Sequence, residues 1–191
     1  MAIVVPEYRG LSRQDLLNKV YDKGVDYEMY TQSCSQCTVA ALHDILGFDD
    51  VIVKVANSAS GCQASHFVGT CGGLLGGTMV LDYFFGRPYN TLSDKEFSQE
   101  RAEALMNATQ IVKKLYFKYV NEYGTTLCPS LHVKLYGRIF YFADPDDVEK
   151  FDKIGGHADP RVTGKMSCCH LVGNAAKWTL EILLDQGAVE L

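Results

Sequence analysis

One apolar, glycine-rich segment places the tightest limit on how this chain can fold. Residues 67–86 read FVGTCGGLLGGTMVLDYFFG, which is almost long enough to cross a bilayer. Asp82 interrupts the run, and a carboxylate inside a membrane span is costly. The segment therefore predicts a buried core helix that begins at about Ser65. A lone transmembrane helix is the less favoured alternative.

The glycines of this segment recur at helical spacing. Gly69, Gly73 and Gly77 follow one another every four residues, and so do Gly72 and Gly76. On a helix these positions form two adjacent stripes. Each glycine costs roughly 1 kcal/mol of helix propensity relative to alanine, so five of them need a compensating contact. The stripes favour the close approach of another helix, and less strongly that of a bulky cofactor.

Four further helices follow from apolar residues spaced three and four apart. The longest begins with Ser93, Asp94, Lys95 and Glu96, which form a capping box. At about 45 Å it is longer than a small domain needs, which suggests a kink or a contact with a second subunit. The predicted ranges, each closed by a glycine, are Ser12–Gly24, Ser35–Gly47, Ser93–Gly124 and Ser167–Gly187.

Three segments between these helices carry weaker patterns. Residues 27–33 are predicted to be a connection. Residues 140–160, rich in Asp and Gly, are predicted to be irregular, with the acidic run 144–147 as a helix cap. Residues 51–55 fit either a short helix capped by a preceding aspartate or a strand, because the run is β-branched.

Composition places these elements in one domain. The chain has 191 residues, 47% of them apolar, and no repeat or linker divides it. We therefore predict an all-α fold, a single-domain helical bundle over residues 1–191 with a glycine-rich central helix and one long helix. Eighteen basic against 23 acidic residues give a net charge of −5, which argues against binding to nucleic acid.

The cysteines are the residues with the clearest chemical potential. The first residues carry no basic and apolar signal pattern, so a cytoplasmic location is predicted, where disulfide frameworks are rare. An odd number of cysteines would also leave one unpaired. The seven are Cys34, Cys37, Cys62, Cys71, Cys128, Cys168 and Cys169.

One cysteine pair has a recognisable spacing. Cys34-Ser-Gln-Cys37 is a C-x-x-C, which in a cytosolic chain indicates a metal half-site or a redox dithiol. No second such pair follows at zinc-ribbon spacing, so a standard structural zinc site is not indicated. Isolated cysteines are mostly inert core residues, and seven buried thiols without a function are an alternative interpretation.

The order of the cysteine segments is more specific than any one of them. Cys37 in CTVAALHDILG, the run Thr70-Cys71-Gly72-Gly73-Leu74-Leu75-Gly76, Cys128 in GTTLCPSL and Cys168 in CCHLVGNAAKW follow in that order. This pattern resembles the C_GCAxxG_C_C family, which is named for its cysteine motifs and associated with redox activity. The resemblance covers roughly residues 33–184. Thr70, Gly72 and the late Gly76 depart from the core motif of the family name.

The resemblance implies redox activity and a metal centre bound by Cys37, Cys71, Cys128 and Cys168. Thiolates favour iron–sulfur clusters, zinc or copper(I). A cluster also needs backbone N–H groups near its sulfurs and little bulk around it. Cysteines at helix starts and the glycine stripes would supply both, so an iron–sulfur cluster ranks first, zinc second and a metal-free dithiol third.

Further residues are candidates for the same site. Cys34, Cys62, Cys169 and His170 are possible additional ligands, and His170 is also a possible proton donor. His66, five residues before Cys71, is a weaker candidate, because a single histidine is more often an ordinary hydrogen-bonded residue.

Three functions are consistent with these residues. The first is an electron-transfer protein or oxidoreductase component that holds an iron–sulfur cluster, is brown when purified anaerobically, and works with a redox partner protein or a small-molecule substrate. The second is a thiol–disulfide oxidoreductase using Cys34/Cys37, or less favourably the strained Cys168/Cys169 pair. The third is a structural zinc module.

The long helix also predicts an assembly. Its end is crowded with apolar residues, more than one small core can cover. A homodimer built partly on this helix is therefore expected, with the glycine-rich helix inside each subunit. The crowded residues are Tyr116, Phe117, Tyr119, Val120 and Tyr123.

Overall fold

Helices make up most of the protein, as the sequence predicts. The computed structural model describes residues 2–92 and 97–191, so the capping box at 93–96 lies outside the described residues. Two short strands, β1 (Ala2–Ile3) and β2 (Val189–Glu190), pair in parallel near the chain ends. The helices are α1 (Arg13–Thr31), α2 (Cys34–Leu46), α3 (Val51–Val55), α4 (Gly72–Phe85), α5 (Gln99–Tyr123), α6 (Cys128–Tyr136), α7 (Pro145–Lys153), α8 (Pro160–Thr163) and α9 (Cys168–Asp185).

The glycine-rich helix α4 lies at the centre of the bundle, in contact with α2, α5 and α9. Gly76 packs on the Ser35 carbonyl of α2, where an added Cβ would overlap the oxygen. On the neighbouring stripe, a Cβ on Gly73 would lie 2.8 Å from the Tyr119 hydroxyl and 3.3 Å from Ala175. The predicted close helix packing is therefore confirmed for the glycines of both stripes that lie on α4, whereas Gly69 precedes the helix and is not part of a stripe.

The start of α4 differs from the prediction. The helix begins at Gly72 instead of Ser65, because the Cys71 N–H donates to the Thr126 carbonyl at 2.8 Å and holds the preceding chain extended. Upstream, residues 61–65 have positive φ angles, a backbone conformation that residues other than glycine rarely adopt. Residues 61–67 therefore form a strained loop in front of the helix.

Gly24 does not end the first helix, contrary to the prediction. Helix α1 continues to Thr31 and ends at Gln32, which has a φ of 52°. A Cβ on Gly24 would lie 3.0 Å from the Cα of Gly173 in α9. The glycine therefore allows two helix backbones to cross closely, and most of the predicted connection at 27–33 is helical.

The remaining elements show which local patterns were informative. Residues 51–55 form a short helix, so the strand alternative is wrong. The predicted cap at Asp144 is confirmed, since its carboxylate accepts the Asp146 N–H at 3.0 Å. This cap begins α7 inside the segment that was predicted to be irregular. No helix was predicted where α6 follows the long helix.

Two further predictions are settled by the described residues. The long helix ends at Gly124, whose φ of 69° is left-handed, as expected of a terminating glycine. No helix in the described ranges is both long and apolar enough to cross a membrane.

Candidate functional site: a cavity lined by cysteines

Four cysteines face one cavity of about 60 Å³ near the centre of the bundle. Each lies where a helix starts. Cys34, Cys128 and Cys168 are the first residues of α2, α6 and α9, and Cys71 caps α4. The first N–H groups of a helix lack partners within it and carry a partial positive charge. Four helix N-termini therefore converge on one group of sulfurs.

Three of the four predicted ligands line this cavity, and Cys37 does not. Cys37 lies one turn further along α2 and lines a separate surface pocket, with its Sγ 2.9 Å from the Thr31 hydroxyl. Cys34, predicted only as an additional ligand, faces the cavity together with Cys71, Cys128 and Cys168. The C-x-x-C spacing could not indicate which cysteine faces inward, because the start of α2 decides it.

The other sulfur and histidine candidates lie outside the cavity wall. Cys62 packs behind the wall against Cys128. The Cys169 Sγ lies 3.2 Å from the His157 carbonyl. His170 is held by the Tyr21 hydroxyl at 2.8 Å and by Asn174 at 3.1 Å.

His66 is likewise outside the cavity wall. Its exposed ring stacks on that of Tyr141, with 6.4 Å between the centroids.

Hydrogen-bond donors reach the cavity sulfurs from several elements. The Gly61 N–H donates to Cys34 Sγ at 3.4 Å, and the Tyr119 hydroxyl lies 3.9 Å from Cys71 Sγ. The Tyr136 hydroxyl lies 3.5 Å from Cys168 Sγ. Such contacts stabilise thiolate character at the start of a helix.

Burial opposes this effect in the metal-free protein. It raises the pKa of Cys71 to about 11 and the pKa of Cys34 and Cys168 well above the ordinary thiol value. Contact with Cys128 lowers the pKa of Cys62, whereas the same contact raises the pKa of Cys128. Without a bound cation, the four thiols that face the cavity therefore retain their protons at neutral pH.

Gly72 leaves room for one of the sulfurs. A Cβ at this position would overlap Cys34 Sγ and would lie 3.2 Å from the Ser35 nitrogen. Only glycine therefore lets the start of α4 approach the start of α2 with the Cys34 sulfur between them. The glycine next to Cys71 in the core motif thus has a direct geometric role in the site.

The wall of the cavity also contains three polar side chains that sequence reasoning missed. Within the described residues, Glu28 Oε2, His132 Nδ1 and His157 Nδ1 are buried without a hydrogen-bond partner, and all three residues line the cavity. Buried polar atoms normally have partners, so unpaired ones indicate a bound molecule or ion. Only His132 had a sequence signal, since it follows Cys128 by one helical turn.

These polar groups are uncharged at neutral pH. Burial raises the pKa of Glu28 to about 8, which the Cys37 thiol and the Ser33 N–H lower only in part. Burial lowers the pKa of both His132 and His157 to about 4. The 3.6 Å approach of His157 Nε2 to Glu28 Oε1 is therefore a contact between a neutral imidazole and a protonated carboxyl group.

Aromatic rings form part of the cavity wall. Phe67 and Phe142 pack with 4.2 Å between their ring centroids, and Phe142 and Phe151 with 4.9 Å. His132 stacks on Phe151 at 5.5 Å, and its Nε2 lies 3.9 Å from Cys168 Sγ. An apolar surround of this kind limits water access and strengthens electrostatic interactions within the site.

The residues of the cavity fit a thiolate-bound centre. The donor set consists of four soft sulfurs, backbone N–H groups point at them, and Gly72 provides space. Within residues 2–92 and 97–191, no three His, Cys, Asp or Glu side chains are grouped closely enough to hold one metal ion.

Fold and site together define an all-α protein whose helix N-termini carry cysteines into a buried cavity. Residues 32–182 match the model of a family described as "Putative redox-active protein (C_GCAxxG_C_C)", and the chain belongs to this family. The match contains all seven cysteines and begins near the end of α1. Comparison with curated proteins and comparison with solved structures gave no significant match.

Proposed function

We propose that this protein is a redox protein that holds an iron–sulfur cluster through Cys34, Cys71, Cys128 and Cys168. The observation that carries the proposal is the convergence of four cysteine-bearing helix starts on one cavity. Helix N-termini favour negative charge, which suits a centre with four thiolates. When bound, such a centre accepts and releases single electrons, which supports a role in electron transfer or within an oxidoreductase.

The chain's own residues would set the conditions for that chemistry. The Gly61 N–H and the Tyr119 hydroxyl are positioned to hydrogen-bond the sulfurs of Cys34 and Cys71. Hydrogen bonds to sulfur and exclusion of solvent are the means by which proteins adjust the potential of such centres. Phe67 and its aromatic neighbours would help to exclude solvent.

The polar wall supports a role that includes protons or a small substrate. Glu28, His132 and His157 line the cavity, and one polar atom of each has no hydrogen-bond partner among the residues that the structure describes. The cavity extends to the exposed residues Gln32 and Ser65, so a molecule of a few heavy atoms could enter from solvent. Electrons would then be exchanged with a redox partner protein or with such a molecule.

The two earlier alternatives have less support. Zinc would need four sulfurs around one point, and the described residues have no such group. In each predicted dithiol, one cysteine faces the cavity and the other does not. Cys34 and Cys168 line the cavity, whereas Cys37 and Cys169 lie outside it.

All seven cysteines are free thiols, which fits a reducing compartment such as the cytoplasm.

Exposed apolar residues on α5 support a homodimer. Leu105 and Met106 lie eleven residues, about three turns, before Tyr116 and Phe117, so the four share a face. They are 44–53% exposed. Tyr119 and Tyr123, which the sequence analysis also counted as surface, are buried in the subunit's own core. The proposed contact is therefore narrower than the sequence suggested.

Anaerobic purification followed by metal analysis tests the proposed centre. We expect a brown protein with iron and acid-labile sulfide in equal amounts, and visible absorbance that bleaches on reduction. A colourless protein with stoichiometric zinc would overturn the iron–sulfur proposal. A colourless protein that takes up no iron and sulfide on anaerobic reconstitution would overturn it as well.

A further inference from the structure

Two cysteines outside any predicted pair are in side-chain contact. The Cys62 and Cys128 thiols interact directly, and both belong to a small buried cluster with Phe67. The two residues are also tied through the backbone, since the Cys128 N–H donates to the Gly69 carbonyl at 2.9 Å. Gly69 in turn packs beside Cys62, since a Cβ on Gly69 would lie 3.4 Å from the Cys62 Cβ. The backbone therefore holds the segments that carry the two cysteines next to each other.

The pair is placed where a small oxidant can reach it. Cys128 lines the cavity, and Cys62 lies directly behind it. Exposed Gln32 and Ser65 also line the cavity, which is large enough for a molecule of the size of hydrogen peroxide.

The backbone around Cys62 is strained. Cys62 has a φ of 59°, and Gln63, Ala64 and Ser65 also have positive φ angles. Such a backbone conformation costs free energy unless its surroundings hold it in place. The contacts around Cys62 therefore fix the position of its side chain against a local preference for another backbone conformation.

We propose that Cys62 and Cys128 form a reversible disulfide when the metal-free protein meets hydrogen peroxide. One thiol reacts with peroxide to give a sulfenic acid and one water. The other thiol then displaces the hydroxyl as a second water and forms the S–S bond. Two thiols and one peroxide thus give one disulfide and two waters, and a dithiol reductant reverses the change.

If the proposed function is right, the disulfide would also affect the cavity. Cys128 in a disulfide has no thiolate to offer a metal. Oxidation of the pair would then prevent assembly of the centre until the disulfide is reduced, while Cys34, Cys71 and Cys168 remain free.

Disulfide mapping of the metal-free protein tests the pair itself. The reduced protein is treated with one equivalent of peroxide, alkylated, digested and analysed by mass spectrometry. We expect one linked peptide containing Cys62 and Cys128, lost in Cys62→Ser and Cys62→Ala and retained in Cys169→Ser. Alkylation of both cysteines after peroxide, or a link between other cysteines, would overturn the proposal.

A second measurement separates this proposal from the proposed function. Peroxide-treated protein should take up less than a fifth of the iron bound by reduced protein, with recovery after dithiothreitol. Cys62→Ser should show no such loss. If the disulfide forms and iron uptake is unchanged, Cys128 is not a ligand, so the block on assembly is wrong while the disulfide stands.

Discussion

At the scale of single residues, the site combines groups that ordinarily avoid burial. Glu28 is 2% exposed and His132 is 1% exposed, and each has an atom without a partner. Such groups cost free energy unless a bound molecule satisfies them or their charge is suppressed. In the metal-free protein the charge is suppressed, because the Glu28 carboxyl group is protonated and the His132 imidazole is neutral at pH 7.

Glu28→Gln should change how stability depends on pH. An unfolded glutamate loses its proton near pH 4.5, whereas Glu28 in the folded protein keeps it to about pH 8. The folded state therefore binds one proton more between these values, and the free energy of unfolding falls as pH rises, by about 1.4 kcal/mol per pH unit.

Urea unfolding of the metal-free protein checks this expectation, because the histidines contribute equally to wild type and variant and cancel in the comparison. From pH 6.5 to 8, wild type should lose about 2 kcal/mol relative to Glu28→Gln. Glu122→Gln, which changes an exposed carboxylate on α5, serves as the matched control and should follow wild type. Parallel pH curves for wild type and Glu28→Gln would contradict the buried, protonated state of Glu28.

At the scale of elements, glycines decide how closely the helices approach. The stripes on α4 predicted close packing, and the structure confirms it through Ser35, Tyr119 and Ala175. Gly24 looked like a helix end because a local pattern cannot distinguish a terminating glycine from one at a crossing. The difference depends on Gly173, which lies 149 residues away in the sequence and packs against it only in the fold.

Gly173→Ala should destabilise the protein although alanine favours helices. The added Cβ would lie 2.7 Å from the Tyr21 ring and 3.0 Å from the Tyr21 carbonyl, both on α1. Overpacking of this kind costs about 1–3 kcal/mol, which exceeds the gain in helix propensity of about 1 kcal/mol. The expected result is a lower denaturation midpoint. Asn107→Ala, at an exposed position of α5, is the control and should leave the midpoint nearly unchanged. A Gly173→Ala variant as stable as wild type would mean that α1 and α9 do not cross at these glycines.

Local sequence patterns do not report which helices meet in the fold, and the sequence therefore indicated the site only in part. The resemblance to the family implied that Cys71, Cys128 and Cys168 belong to one site, and all three line the cavity. The choice between Cys34 and Cys37 depends on where α2 begins relative to α4, which no local pattern encodes. Glu28 and His157 come from distant segments and could not be associated with the cysteines before folding.

At the scale of the whole molecule, the bundle has a cavity lined by cysteines and an exposed apolar face on α5. The cavity lies between helix starts, while Leu105, Met106, Tyr116 and Phe117 lie on the outside of α5. Contiguous exposed apolar side chains commonly mark an interface, and a two-fold dimer is the simplest assembly that covers them. The proposed interface on α5 is thus separate from the cavity, whose lining residues come from other parts of the chain.

Phe117→Lys should convert the dimer to a monomer. A lysine placed in the centre of an apolar contact would be buried without a partner charge. Light scattering at micromolar concentration should report a dimer for wild type and half that mass for the variant. Val162→Lys, at an apolar position of α8 that is 83% exposed, should remain dimeric. A wild-type monomer would contradict the proposed assembly.

The iron content of Cys34→Ser compared with Cys37→Ser tests the central claim most directly. Both variants remove one thiol from the same helix turn, but only the sulfur of Cys34 faces the cavity. After anaerobic reconstitution, Cys37→Ser should bind iron and sulfide as wild type does. Cys34→Ser should lose most of the iron and the visible absorbance. Full loading of Cys34→Ser together with loss of iron from Cys37→Ser would contradict the assignment of the centre to this cavity.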